Sequence, residues 1–127
     1  MVENWQGAIA DYTNSLARAE GSVSSNVYAE RAEAYTAMGR YEDAINDYTS
    51  AVRVISEQIQ AATTQDERES QSSNAMSYFE KSAALNLQLG RNDVAKNDLE
   101  SAFAIAVSLN DTESIDRIQN LINGLNN

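Results

Sequence analysis

The chain contains no cysteine, no histidine and no proline, and each absence closes off a class of structure or chemistry. Without cysteine there are no disulfides, thiolate nucleophiles or thiolate metal sites, although either redox compartment is compatible with that composition. Without histidine the commonest general base and the commonest zinc ligand are both missing. Without proline nothing forbids long, uninterrupted helices. Positive charge is scarce too: 9 basic residues stand against 19 acidic ones, a net charge of −10. Such a surface repels phosphate backbones and anionic lipid headgroups, so nucleic acid is not an expected partner. No apolar run approaches the roughly 18 residues of a membrane span, so membrane insertion is not expected either. The five glycines are scattered singly, which excludes a phosphate-cradling loop. The opening MVENWQGAIADY lacks the basic flank and apolar stretch of an export signal. It points to the cytoplasm, or to the periplasm if a leader has been removed.

What the chain does have is self-similarity. Its 127 residues suit one domain, and a chain of this length buries roughly two-thirds of its unfolded surface. In VYAERAEAYTAMGRYEDAINDYTSAVRV, Tyr28, Ala32 and Tyr35 recur at helical spacing. Gly39 follows as a left-handed helix stop. Tyr41, Ala44, Ile45, Tyr48, Ala51 and Val52 then form the buried stripe of a second helix. Small alanines allow two antiparallel helices to approach closely, and the tyrosines fill the space between neighbouring pairs. The second helix has a copy 36 residues upstream, where Trp5, Ala8, Ile9, Tyr12 and Leu16 precede Tyr41, Ala44, Ile45, Tyr48 and Val52. The whole hairpin recurs 51 residues downstream, as Phe79, Ala83, Gly90, Ala95, Leu99, Ala102 and Phe103. That third copy is degenerate, with Asn86 and Asn92 in place of Tyr35 and Tyr41.

This pattern resembles the tetratricopeptide repeat (TPR), a helix-turn-helix unit of about 34 residues. The resemblance implies an all-α fold, with antiparallel helix pairs stacked as a right-handed TPR-type superhelix. One domain over 1–127 is expected. It comprises a trailing helix of a first repeat (3–20), a second repeat with an extended second helix (26–62), a third repeat (65–109) and a capping helix (112–125). Two departures from the family pattern stand out. About fifteen extra residues separate the second and third units, and no proline marks the boundary. The apolar series Val52, Ile55, Ile59 and Ala62 carries the preceding helix about two turns further. Thr64 and Glu67 have capping-box spacing for the next one. Residues 65–74 contain no aliphatic or aromatic residue. They read either as the solvated start of a long helix or as a loop, with helix the expectation. The first copy also lacks a leading helix. At the other end, Asn110 and Glu113 are expected to cap a last helix with Ile115, Ile118, Leu121, Ile122 and Leu125 as its apolar stripe.

No catalytic constellation is present, so an enzyme is not expected, and neither a metal nor a cofactor is implied. The acidic residues Glu42, Asp43 and Asp47 read as a solvated face, and the stretch from Asp111 to Asp116 lacks the ligand alternation of a calcium loop. In the resembling family the leading helices line a groove that takes peptides or helices. Carried onto this chain, the groove positions are Asn26, Ala29, Glu30, Glu33, Thr36 and Ala37, then Ser77, Glu80, Lys81, Ala84, Leu87 and Gln88. Adaptors of this family that clamp acidic carboxyl-terminal tails carry an asparagine where this chain has Glu30, and a basic residue where it has Ser77; only Lys81 matches. A carboxylate about 4 Å from Glu30 would cost on the order of 1–4 kcal/mol. The expectation is therefore a protein-interaction scaffold for a basic or amphipathic protein segment. The alternative is self-assembly, such as a homodimer, through Trp5, Ile9, Tyr12 and Leu16 of the uncovered first helix. A further reading makes the chain part of a longer array.

Overall fold

The computed structural model describes residues 4–18 and 24–126; the outer bounds 3 and 20 expected for the first trailing helix lie outside the described residues. Within them there are six helices: α1 Trp5–Arg18, α2 Ser25–Ala37, α3 Tyr41–Ala61, α4 Gln65–Gln88, α5 Asn92–Ser108 and α6 Thr112–Leu125. Each packs on its neighbour in sequence, which is how helical hairpins stack into a TPR superhelix.

Local chemistry sets the turns. Gly39 and Gly90 take φ of +76° and +74°, the left-handed region that glycine enters without penalty. The turn after α5 uses Asn110 at φ 55° for the same purpose. Asn110 therefore ends α5, and the cap of α6 falls one residue later than the sequence pattern placed it. The Asp111 carboxylate accepts from the Ser114 backbone N–H at 3.1 Å and from the Ser114 hydroxyl at 2.6 Å. These hydrogen bonds hold the Asp111 carboxyl below its ordinary range. At the start of α4 the Thr64 hydroxyl oxygen accepts from Glu67 N–H at 3.1 Å. The Glu67 carboxylate reaches back to the N–H of Thr63 at 3.2 Å, so the reciprocal half of the box lands one residue early. With its end satisfied in this way, the polar stretch 65–74 is helix.

The repeated alanines are where two backbones meet. Ala32, Ala44, Ala51, Ala95, Ala102 and Ala106 are fully or almost fully buried, as is Ala83. Two cores result. One joins α2, α3 and α4 around Tyr48, Ile55 and Tyr78. The other joins α4, α5 and α6 around Leu99 and Ile118. Tyr48 and Tyr78 stack with ring centroids 5.9 Å apart, so an aromatic pair joins consecutive units. Burial, with Glu33 and neighbouring groups adding to it, pushes the Tyr48 phenol up to about 12.

Each hairpin also carries one acidic residue between its two helices. Asp47 is buried, not part of a solvated face as its acidic neighbours in sequence imply. Arg31 explains why. Its Nε donates to Asp47 Oδ2 at 2.8 Å and its terminal nitrogen to Oδ1 at 2.6 Å. A third donor reaches Thr13 Oγ1 on α1 at 3.1 Å. The tyrosine rings at 28 and 35 lie 6.0 and 5.7 Å from the guanidinium carbon. In the third unit the matching acid is Asp98, 51 residues on, and its partners among the described residues are Ser82 and Asn86, not an arginine.

Candidate functional site

The leading helices α2, α4 and α6 lie along one face and are joined there by side chains. The Tyr78 hydroxyl donates to Asn26 Oδ1 at 3.3 Å. Lys81 pairs with Glu33 at 3.2 Å. Arg117 forks onto both oxygens of Glu80, at 3.1 and 3.0 Å, which raises the guanidinium pKa. These ion pairs are largely exposed, so each contributes little to stability. Their consequence is electrostatic: two of the three acids expected to give this face its negative charge are already neutralised. Glu30 is the exposed acid left, and it lies close to Tyr12, whose phenol is raised by partial burial and then by Glu30.

The positions read from the sequence divide into three groups. Asn26, Glu30, Glu33, Lys81, Ala84, Leu87 and Gln88 are exposed, as is Ala37. Thr36, Ser77 and Glu80 are half-buried, and the Thr36 hydroxyl is committed to the Ala32 carbonyl at 2.8 Å. Ala29 is not a lining residue. It is 6% exposed and belongs to the first core.

Between α4 and α6 this face opens into an apolar cavity of about 290 Å³. Ala84, Leu87, Leu121, Gly124 and Leu125 form its walls, with Glu80 at the rim. Leu87 and Leu121 are 37% and 46% exposed, unusually open for leucines flanking a concavity. The sequence pattern puts Leu121 in the apolar stripe of the last helix. Ile118 and Ile122 of that stripe are buried, but Leu121 lies at its edge, where no helix among the described residues covers it. The α6 contribution to the cavity was missed for that reason. Its signal was present in the sequence, since a stripe of five apolar residues on a 14-residue helix is wider than contact with α5 alone requires.

A second cavity, of about 160 Å³, lies between α3, α4 and α5. Tyr48, Thr49, Val52 and Phe79 line it, with Ser82 and Asp98 at its polar end. The Ser82 hydroxyl and the Asn86 amide donate to the same oxygen, Asp98 Oδ2, at 2.9 and 3.0 Å. Burial raises the Asp98 carboxyl, and these two hydrogen bonds oppose the shift only in part. Among the described residues no cluster of acidic side chains could hold a metal ion, and no helix is long and apolar enough to cross a membrane.

The half-exposed side chains of α1 complete the inventory. Trp5, Ile9, Tyr12 and Leu16 are all partly covered and none is buried.

Comparison with known proteins agrees with this geometry. The family model described as Tetratricopeptide repeat matches residues 25–58, the span of α2 and most of α3. Among solved structures, the chain is similar to PcrH, in a crystal structure of its complex with the chaperone binding region of PopD. The TM-score is 0.66 at 16% identity, covering 96% of this chain and 78% of that one. No curated protein matches the chain in sequence.

Proposed function

We propose that this chain, which carries a match to the tetratricopeptide repeat at residues 25–58 and stacks its helices in that fold, is a non-catalytic scaffold holding an amphipathic segment of another protein. The segment lies along the inner face of α2, α4 and α6. The observation that carries this reading is the open apolar cavity between Leu87 and Leu121. A leucine-sized side chain buried there would gain roughly 1.5–3 kcal/mol, and the surrounding polar residues would set its register. The structural neighbour PcrH, solved in complex with a region of PopD, supports the same use of the fold. Amphipathic character is favoured over simple basicity because Lys81 and Arg117 already occupy Glu33 and Glu80.

Selection from a displayed peptide library tests the proposal. Enriched peptides should share an apolar residue at a fixed position, and Ala84→Trp, which fills the cavity from an exposed site, should abolish their binding. Enrichment insensitive to Ala84→Trp would remove the cavity from consideration.

Self-association is a second reading, favoured by the absence of any buried residue on α1. Sedimentation of the wild-type chain against Trp5→Glu decides it: a concentration-dependent dimer should be lost in the variant, and a monomer at all concentrations ends the idea.

A further inference from the structure

The cavity between α3, α4 and α5 occupies the place that Arg31 fills in the preceding hairpin. The correspondence is residue by residue. A shift of 51 carries Arg31 onto Ser82, Asp47 onto Asp98 and Tyr28 onto Phe79, and a shift of 36 carries Thr13 onto Thr49. In the second unit the guanidinium satisfies Asp47, donates to Thr13 and lies against the Tyr28 ring. In the third unit the carboxylate, the threonine and the aromatic ring all remain around the cavity, and the arginine has become serine.

Hydrogen bonding leaves the matching vacancy. Both protein donors go to Asp98 Oδ2; among the described residues Oδ1 receives none. Thr49 donates its hydroxyl proton to the Ile45 carbonyl at 3.0 Å, so its oxygen stays free to accept. The Asn86 carbonyl oxygen, one turn from Ser82, is buried without a partner. Two residues of the cavity lining, Asp98 and Thr49, therefore each keep an acceptor for a donor with several N–H groups. A volume of about 160 Å³ is comparable with a cavity of roughly 150 Å³ that admits benzene, ample for a guanidinium on a short alkyl stem. Arginine's planar fork suits a carboxylate better than a compact ammonium does, and it stacks on aromatic rings.

We propose that this cavity binds a guanidinium group, supplied by a small alkylguanidine or by an arginine side chain of another polypeptide. One N–H donates to Asp98 Oδ1 and another to Thr49 Oγ1, while the flat face of the ion rests on Phe79. The groove between α4 and α6 plays no part, so this site stands or falls independently of it.

The test is a titration of the ¹⁵N-labelled full chain with ethylguanidinium chloride, with ethylammonium chloride at equal ionic strength as the comparison. Saturable shifts are expected at Thr49, Val52, Phe79 and Ser82, stronger for the guanidinium. Asp98→Asn should weaken binding roughly tenfold or more, the loss of one charge-assisted hydrogen bond. Ser82→Arg should abolish it by restoring the internal arginine; if that variant does not fold, Asp98→Asn decides alone. A second arm replaces the small ion with the capped tripeptide Ala-Arg-Ala. Tighter binding of the peptide than of ethylguanidinium assigns the site to an arginine side chain, and equal or weaker binding assigns it to a small ligand. Shifts that do not saturate, that ignore Asp98→Asn, or that fall on the α4–α6 face instead would overturn the proposal.

Discussion

The second and third hairpins share a backbone plan and treat the same acidic residue in opposite ways. Asp47 is held by a bidentate arginine that also ties α2 to α1. Asp98 is held by a hydroxyl and an amide on one oxygen, beside a cavity. One unit spends its polar interior on joining neighbouring helices, and the other leaves room there. Three buried alanine positions recur in both, Ala32 with Ala83, Ala44 with Ala95 and Ala51 with Ala102. The backbone spacing of a repeat thus constrains the small residues tightly, while the polar position between its helices is free to change purpose.

The largest effect should come from breaking the filled version. Asp47→Ala leaves the Arg31 guanidinium without its carboxylate in a mostly buried place, a loss of about 3 kcal/mol for removal of one partner. Urea denaturation monitored by circular dichroism checks it. A loss well under 1 kcal/mol would show that Asp47 and Asp98 are equivalent after all.

Next come the seams. Ala44 and Ala95 occupy matching positions and are both fully buried. Ala44→Leu and Ala95→Leu should each cost about 1–3 kcal/mol through overpacking. The two losses in urea midpoint should agree, because the two alanines are equally buried at matching positions. A marked difference would mean that the third hairpin, with its cavity, yields where the second does not.

The smallest effect sharpens the contrast between the acids. Burial raises the Asp98 carboxyl above its ordinary 3.8, so the folded state holds that proton more tightly than the unfolded chain does. The resulting stability is complete below pH 3.8 and is lost as pH rises through the raised value. Asp98→Asn removes the ionisation. Its melting temperature should therefore exceed that of wild type by a few degrees at neutral pH, and the gap should close on acidification below that range. A gap that widens toward acid would reverse the assignment.

Much of the fold was legible because helix pairing leaves a periodic trace. Ala32, Ala44, Ala83 and Ala95 mark the seams, and Gly39 and Gly90 mark the turns. Asn110 was misread because asparagine serves both as an N-cap and as a left-handed stop, and the local sequence does not separate the two roles. The candidate face was legible only in part. The family resemblance implied Glu80, Ala84 and Leu87 on the groove side of α4, but it did not reveal that Arg117 neutralises Glu80 or that Leu121 lines the same cavity.

Sequence alone determined the class of the protein: small residues recurring in register allow hairpins to stack, and the missing histidine and cysteine remove the readiest catalytic groups. Tertiary structure decided where charge and empty space lie. Both depend on side chains from helices distant along the chain, as when Arg31 reaches Asp47 or Ser82 leaves Asp98 exposed to a cavity. A period describes one helix's contact with the next, and it carries no record of which side chains meet across that contact.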